Sequence, residues 1–394
     1  MEKREWDFVD KDLSERSEET RPGLTYWADV WRRFCKNKLA LFGLVLLVAI
    51  VGLAVIGPMV SPYSYEDQTL EMGNLPPTLK VTQLDENNYV YVHPEYKLFS
   101  VSLSGEVLGV PEKVRDDKIN RKVIYSIDGK EVVLDYNLAK KNKNDKNAPK
   151  YQLFVDEEEI STQPLKTVHN KTYIFGTDKL GRDVWVRNLY GARISLLVGI
   201  VAALVTGIVG VIYGGVSGYE GGRVDNIMMR IVDLINSIPL MLIVILISVV
   251  LTGGLATIIL TIGLVYWVGM ARQVRGQVLS LKEQEFVLAA KTLGASKWRI
   301  IMRHLIPNAL GPIIVSMMMS IPQAIFTESF LSFIGLGVSA PMASWGTLAS
   351  DALGGIRSYP YLLIVPSLSI ALTMFAFNFV GDGLRDALDP KLRK

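Results

Sequence analysis

Few residues in this 394-residue chain have the types and spacing that catalysis or metal binding requires. The three histidines, His93, His169 and His304, stand far apart, and Cys35 is the single cysteine. A metal site needs several such ligands at short spacings, and a nucleophile needs a base beside it. The sequence therefore predicts no catalytic residues, no bound metal and no disulfide within the chain.

A nucleotide-hydrolysing site is also missing from the sequence. The phosphate-binding pattern G-x-x-x-x-G-K-[ST] has no match, because ASK follows Gly294 at too short a spacing. We therefore expect no ATPase activity and no cofactor in this chain. A net charge of +3 is too small to indicate nucleic acid as a partner.

Two residues near the end of an apolar segment are candidates for a translocation path or an outer gate. Glu328 precedes the residues SFLSFIGLG, and Trp345 lies in the loop that follows them. A carboxylate near a membrane segment either marks a functional path or is neutralised by a cation. Of these two readings we favour pairing of Glu328 with Arg357 or another outer arginine.

Apolar segments must position these residues, and a helix needs about 20 apolar residues to cross a bilayer. Hydrophobic residues make up 49% of the chain and dominate 192–272 and 309–382. The sequence thus predicts an all-α polytopic membrane protein with six transmembrane helices. The six candidate spans are 39–60, 192–216, 231–252, 254–272, 309–332 and 360–382.

Basic residues near the ends of the spans predict their orientation, because Lys and Arg accumulate on the cytoplasmic side. They precede the first span and occupy 217–230, 273–308 and the C-terminal tail. With six spans these segments share one side, so we expect a multi-pass plasma-membrane protein with both termini cytoplasmic. Arg182, Arg187 and Arg193 depart from this rule, and we assign them to ordered structure on the outer side.

Residues 62–172 have the composition of a soluble domain between the first and second spans. Alternating, β-rich residues flank Asp128-Gly129, a pair typical of a tight hairpin turn. We expect a β-rich extracytoplasmic domain that packs on the outer face, with ligand binding as the alternative role. The predicted order is a cytoplasmic tail (1–38), transmembrane helix 1 (39–61), this insert (62–172), a helical core (173–382) and a cytoplasmic tail (383–394).

A polar segment, 285–308, separates two apolar regions and has the features of two short helices. Glu285 suits the positive end of a helix dipole, and Gly294 suits a helix end. An apolar face with small residues in its centre would fit a groove on another protein, or it would lie on the membrane surface. The predicted face comprises Phe286, Ala289, Ala290 and Leu293.

The same segment resembles the cytoplasmic EAA loop of binding-protein-dependent ABC importer permeases. The likeness rests on AAKTLG, followed after twelve residues by Pro307, although Leu288 stands where the family pattern has Glu. Other segments resemble the C-type subunit of dipeptide, oligopeptide and nickel importers over 35–61 and 173–394, but not over 63–172. They are FGTDKLGRDVWVRNLYGARISLLVG, GGRVDNIMMRIVDLINSIP, ESFLSFIGLG, SWGTL and FNFVGDGLRDALDP.

This resemblance implies a permease subunit of an ATP-driven, binding-protein-dependent peptide importer, with nickel or another small solute as the alternative cargo. It implies a homologous B-type permease, two ATPase subunits that hold ATP and Mg, an extracytoplasmic peptide-binding protein and membrane lipid as partners. An ion-coupled carrier or a membrane-anchored sensor is the alternative from another class. The coupling helices would contact the ATPases through Glu285, Phe286, Ala289, Ala290, Gly294 and Arg303, with Glu285 in the role of the family glutamate.

Overall fold

The computed structural model describes residues 25–142, 145, 148–251 and 254–389. Residues 1–24 of the predicted N-terminal tail, and the C-terminal tail beyond Asp389, lie outside the described residues. The helices are α1 (Tyr26–Lys36), α2 (Lys38–Val60), α3 (Leu138–Lys141), α4 (Val184–Glu220), α5 (Gly222–Ser237), α6 (Leu240–Val250), α7 (Leu255–Leu281), α8 (Glu285–Thr292), α9 (Lys297–Ile300), α10 (Ile306–Asn308), α11 (Leu310–Leu331), α12 (Trp345–Ala352) and α13 (Tyr361–Leu388).

Five helices in the described part of the chain are long and apolar enough to cross a membrane. They are α2, α4, α7, α13 and the continuous stretch Leu310–Leu336, which contains α11. Gly222–Ser237 and Met241–Val250 are bent by 84° at their junction and form a sixth span if they are taken together. The polytopic helical fold is therefore confirmed with five to six spans.

The segment predicted as one span over 231–252 is broken, and Pro239 explains the break. Ile238 has an extended backbone, and Pro239 then stands at the start of α6. A proline disfavours helical geometry at the residue before it and has no N–H to continue a helix. The residues on either side of 238–239 therefore belong to two helices with different directions.

The second span begins earlier than the predicted residue 192 because Asp183 caps α4. Its carboxylate accepts hydrogen bonds from the backbone N–H groups of Trp185 (2.7 Å) and Val186 (3.2 Å). These bonds satisfy donors that have no partner within a first helical turn. α4 therefore includes Arg187, which lies outside the predicted span, as well as Arg193.

The arginines on the predicted outer side are held by specific partners. Arg182 Nε lies 2.7 Å from the carboxylate of Asp178, and Arg187 Nη1 lies 3.5 Å from the same group. Arg193 donates through Nε to the carbonyl of Ala54 (2.5 Å) and through Nη2 to that of Val55 (2.6 Å). These contacts place all three residues in ordered structure.

Glycines on α4 allow α7 to pack closely against it. A Cβ atom at Gly214 would collide with the carbonyl oxygen of Ala271, and one at Gly210 would collide with Met270. Small residues at four-residue spacing let two membrane helices approach at backbone distance. α4 and α7 therefore form a tightly packed pair at the centre of the bundle.

The insert between α2 and α4 contains two five-stranded antiparallel sheets. The strand orders are β10-β1-β2-β3-β4 and β5-β6-β7-β8-β9. Asp128 (φ +50°) and Gly129 (φ +80°) form the turn between β6 and β7, as their sequence predicts. The strands are β1 (Thr78–Gln83), β2 (Tyr89–Val92), β3 (Leu98–Val101), β4 (Val107–Gly109), β5 (Glu112–Asp117), β6 (Lys122–Ile127), β7 (Lys130–Asp135), β8 (Gln152–Val155), β9 (Glu158–Ile160) and β10 (Lys166–His169).

The insert contacts the helical core through tyrosines near the start of α13. Tyr361 donates its hydroxyl to the carbonyls of Leu75 (2.9 Å) and Thr177 (2.8 Å). Tyr359 stacks on His93 with ring centres 5.8 Å apart and donates its hydroxyl to Glu95 (3.1 Å). The β-rich insert is thus attached to the loop that precedes the last span.

Candidate functional site

The polar segment forms two short helices, α8 and α9, which we call the hairpin. Gly294 has φ +76° and ends α8, because its N–H donates to the carbonyl of Lys291 (3.0 Å) and the N–H of Ala295 donates to that of Ala290 (3.0 Å). This pattern closes a helix when the residue after its last turn is left-handed, a conformation that glycine adopts without steric cost. Ser296 then caps α9 by accepting from the N–H of Arg299 (3.3 Å).

Buried residues attach the hairpin to α7 and to the turn that follows α9. Val287, Ala290 and Ile300 pack with Val274 and Val278 in one apolar cluster. Ala290 retains only 8% of its exposure, so it supports the hairpin from beneath. The four residues of the predicted apolar face therefore do not all face solvent, because Ala290 is buried against the core.

The outer side of the hairpin presents apolar residues to solvent. Phe286 is 40% exposed, Leu293 88% and Trp298 53%, and Ala289 is also exposed. We call these four residues the docking face. Exposed large apolar residues that recur on one short element are typical of a surface that contacts another protein.

Two lysines of the hairpin, and Lys282 at the end of α7, contact the end of α4. Lys297 Nζ lies 2.8 and 2.9 Å from the two carboxylate oxygens of Glu220, and this hydrogen bond raises the pKa of Lys297. Lys291 lies over the ring of Tyr219 at 5.4 Å, and Lys282 donates to the carbonyl of Gly218 (3.0 Å). These polar contacts join the hairpin and the end of α4.

Glu285 and Arg303 occupy the two ends of the predicted site and are both exposed. Glu285 lies in the first turn of α8, where its charge is favourable at the helix N-terminus. Arg303 lies in the π-helical turn Ile301–Leu305 and makes no ion pair with any residue that the structure describes. Both side chains are thus accessible to a partner.

An ion pair next to the hairpin was not predicted from the sequence. Arg275 of α7 donates through Nε and Nη2 to the two carboxylate oxygens of Asp225 on α5, each at 2.5 Å. Ser217 donates to the same carboxylate at 2.5 Å. Because Arg275 and Asp225 lie 50 residues apart in the chain, no local sequence pattern predicts their pairing. Together with Ser217, the pair joins α4, α5 and α7.

Glu328 lies at the other end of the molecule and is completely buried. Its carboxylate accepts hydrogen bonds from the hydroxyls of Ser195 (2.8 Å), Ser332 (2.8 Å) and Ser329 (3.4 Å). We call these four residues the carboxylate cluster. The predicted pairing with Arg357 is wrong, because Arg357 is exposed and no arginine among the described residues forms an ion pair with Glu328.

Serine hydroxyls explain how a buried carboxylate is accommodated without a cation. A carboxylate has several acceptor positions, and each hydroxyl supplies one donor. The donors come from different elements, since Ser195 lies on α4 whereas Ser332 begins the π-helical turn Ser332–Leu336 after α11. The cluster therefore ties two spans together through one side chain.

Trp345 connects the cluster to the outer loop. It is 1% exposed, its indole N–H donates to the carbonyl of Asn188 (3.1 Å), and its backbone N–H donates to Ser195 Oγ (3.4 Å). Ser344, which caps α12, donates to Ser332 Oγ (3.3 Å). The short helix α12 is thereby held against α4 and α11.

The predicted site residues form two separate groups that are joined by α4. The hairpin holds the end of α4 at Glu220, and the cluster holds it at Ser195. At 1.5 Å per residue these contacts lie roughly 40 Å apart along one continuous helix. No group of three His, Cys, Asp or Glu side chains in the described ranges could hold a metal ion.

Two family models match the chain. One describes a binding-protein-dependent transport system inner membrane component and covers residues 184–394, and the other describes the N-terminal transmembrane domain of oligopeptide transport permease C and covers 25–77. The residues between them, 78–183, contain the β-rich insert.

Curated relatives match along most of the chain. The dipeptide transport system permease protein DppC of Bacillus subtilis strain 168 is 41% identical over 99% of this chain and 94% of its own length. The oligopeptide transport system permease protein OppC of the same strain is 40% identical over 95% and 93%. OppC of Escherichia coli K12 is 51% identical over 56% of this chain and 73% of its own length.

Proposed function

The chain belongs to the family of binding-protein-dependent transport system inner membrane components, and from this premise we propose that it is the permease subunit of an ATP-driven peptide importer. The observation that carries the proposal is identity of about 40% along nearly the whole chain to dipeptide and oligopeptide permeases. These names favour peptides over nickel as the cargo. The chain is a multi-pass membrane protein of this family, and its ATP and Mg would be held by partner subunits.

The docking face is the part of the molecule best suited to receive an ATPase. Phe286, Ala289 and Leu293 are exposed and apolar, while Glu285 and Arg303 offer charges beside them. Gly294 sets the angle between the two helices, and Ala290 supports α8 from beneath. By the positive-inside rule, the basic residues around the hairpin support a cytoplasmic position for it and for both termini.

Coupling would run through α4. When two ATPases close on ATP, a displaced hairpin would move Glu220 through Lys297, and the rigid α4 would carry that movement to Ser195. There the cluster of Glu328 and the adjoining Trp345 would release or retain α12. We assign these two residues to an outer gate, because their hydrogen bonds join α4, α12 and the turn that follows α11.

The remaining subunits of the importer are those that membership of this family implies. A homologous B-type permease would supply the other half of the path, two ATPases would bind the hairpins, and an extracytoplasmic protein would deliver peptide. The insert, 62–172, would lie outside the membrane beside this entrance, and 173–382 would form the permease core. The insert is attached to the core through Tyr359 and Tyr361, which supports a position at the periphery of the permease.

Charge placed on the docking face tests the proposal. Leu293→Asp should abolish co-purification of the ATPases and peptide uptake while the permease pair still assembles, because an acidic side chain cannot enter an apolar groove. Ile119→Asp is the matched control, since Ile119 is 92% exposed on the insert and Leu293 is 88% exposed. Retained ATPase binding by Leu293→Asp would contradict the assignment of the docking face.

A further inference from the structure

The first helix presents aromatic side chains that the permease core does not bury. Trp27 is 55% exposed and Trp31 58%, and Tyr26 beside them is 45% exposed. The same helix buries Val30 and Phe34 against the end of α13, where they join Val380 and Leu388. α1 is therefore held by one apolar strip and leaves a second strip of indole rings outside the contact.

The packing of α1 places its C-terminal end next to the start of the first span and the end of the last one. Asn37 alone separates α1 from the first span, and its side chain caps that span by accepting from the N–H groups of Leu39 (3.1 Å) and Ala40 (3.2 Å). A Cβ atom on Gly383 would lie 3.2 Å from the ring of Phe34, and Arg33 Nη1 donates to the carbonyl of Asp389 (3.4 Å). Gly383 and Asp389 are only about 9 Å apart along a helix axis. These contacts hold the C-terminal part of α1 against the end of α13, directly before the start of the first span.

The charges of α1 and its junction are predominantly positive. Between Tyr26 and Lys38 the chain has four basic residues and one acidic residue, Asp29. Asp29 forms ion pairs with Arg32 (3.1 Å) and Arg33 (3.0 Å), whereas Lys36 and Lys38 are exposed and form no ion pair within the described ranges. Indole rings concentrate at the headgroup level of membranes, and clustered cations bind acidic headgroups there.

We propose that α1 is an interfacial anchor whose Trp27 and Trp31 enter the headgroup region and whose basic residues bind acidic phospholipid. The exposed strip formed by Trp27 and Trp31 then contacts the lipid surface. The leaflet concerned is the one at the same end of the molecule as the hairpin. Only the identity of that leaflet as the cytoplasmic one rests on the proposed function. Because α1 packs on α13, acidic lipid would also bias the position of the last span.

Brominated lipid measures whether these indoles lie in the bilayer interface. The full importer complex is placed in nanodiscs with brominated phosphatidylcholine, and tryptophan quenching is compared for the unchanged protein and for Trp27→Phe/Trp31→Phe. We expect the double variant to lose the quenched emission that the two indoles contribute. Trp298→Phe is the comparison variant, because Trp298 is 53% exposed on the hairpin and its loss measures the emission that one exposed indole outside α1 contributes.

Lipid charge supplies the second measurement. Replacing part of the phosphatidylcholine with phosphatidylglycerol should increase quenching of Trp27 and Trp31 at low salt by about twofold, and screening by salt or Lys36→Gln/Lys38→Gln should remove the increase. Equal size-exclusion profiles of all variants confirm that the complex is intact. Quenching is read independently of transport, so loss of the peptide-import proposal would leave this result unaffected.

Three results would overturn the anchor. Unquenched Trp27 and Trp31 in every lipid would exclude the interface. Quenching that appears only after deletion of residues 1–24 would assign the strip to the N-terminal tail, whose composition includes eight acidic side chains. Quenching that appears only after removal of the ATPase subunits would assign it to a protein contact.

Discussion

Arg193 illustrates how one side chain can replace a backbone hydrogen bond inside the membrane. Pro58 has no N–H, so the carbonyl of Ala54 one turn earlier lacks its usual helical donor. Arg193 donates to that carbonyl at 2.5 Å and to the neighbouring carbonyl of Val55 at 2.6 Å. An unpaired carbonyl in hydrocarbon is costly, and the guanidinium removes that cost at the kink.

This pairing predicts a non-additive result for two substitutions. Arg193→Met should lower the thermal midpoint of the permease, since leaving the Ala54 carbonyl unpaired costs about 1–3 kcal/mol. Pro58→Ala restores a backbone donor, so Arg193→Met/Pro58→Ala should recover most of the loss. The midpoints of the four proteins form a double-mutant cycle, and additive effects would show that Arg193 does not act on this carbonyl.

Glu328 permits a separation of gating from folding. Glu328→Gln keeps the volume and one acceptor oxygen, so the permease should fold with normal yield. It replaces one of the two acceptor oxygens that gather three hydroxyls with an NH2 donor, and we therefore expect slower uptake at unchanged expression. Peptide uptake and folded yield are measured separately, and normal uptake by this variant would remove Glu328 from the outer gate.

At the level of elements, the turn of the hairpin requires a left-handed backbone at Gly294, whereas the space around this residue is not restricted. A Cβ atom on Gly294 would meet no other atom within 4 Å, yet φ is +76°. Asn tolerates this conformation, whereas a β-branched residue does not. Crowding and backbone strain can therefore be distinguished at this one position.

Gly294→Asn should retain ATPase binding, and Gly294→Val should weaken it by about tenfold, because the strained turn changes the angle of the docking face. Co-purification of the ATPases measures binding, and limited proteolysis within 285–300 reports whether the hairpin itself has opened. If Gly294→Val behaves like the unchanged protein, the angle set at this turn is unimportant for docking.

The helices and turns also show which parts of the fold can be predicted from the sequence. Hydropathy identified the spans because bilayer thickness fixes their length, and Asp128-Gly129 identified a turn because both residues must adopt positive φ. The start of α4 was misplaced since its cap, Asp183, offsets charges that a hydropathy window counts against a helix. The contact between Glu328 and Ser195 was missed because the two residues lie 133 positions apart, and no local pattern encodes it.

Over the whole molecule, the β-rich insert and the helical core meet at a buried imidazole. His93 is 1% exposed, its Nε2 lies 2.9 Å from the carbonyl of Asn74, and its Nδ1 accepts from the N–H of Glu95 (3.1 Å). This arrangement needs a neutral ring with its proton on Nε2, and the ring stacks on Tyr359 of the core. Protonation at Nδ1 would abolish one hydrogen bond.

Burial lowers the pKa of His93 below its ordinary value of 6.5, so we expect attachment of the insert to depend on pH. Above pH 6.5 the imidazole is neutral whether attached or free, so the contact has its full stability. As pH falls below that value the free imidazole binds a proton and the attached one does not, so stability decreases towards the lower pKa. Glu95 and Lys97, which face the ring with opposite charges, modify this effect.

Hydrogen exchange of 72–75 and 359–361, corrected for intrinsic rates, should show protection decreasing from pH 7.5 to 5.5. His93→Gln should flatten that dependence and the exposed His169→Gln should leave it unchanged; a persistent slope in His93→Gln would place the titrating group elsewhere.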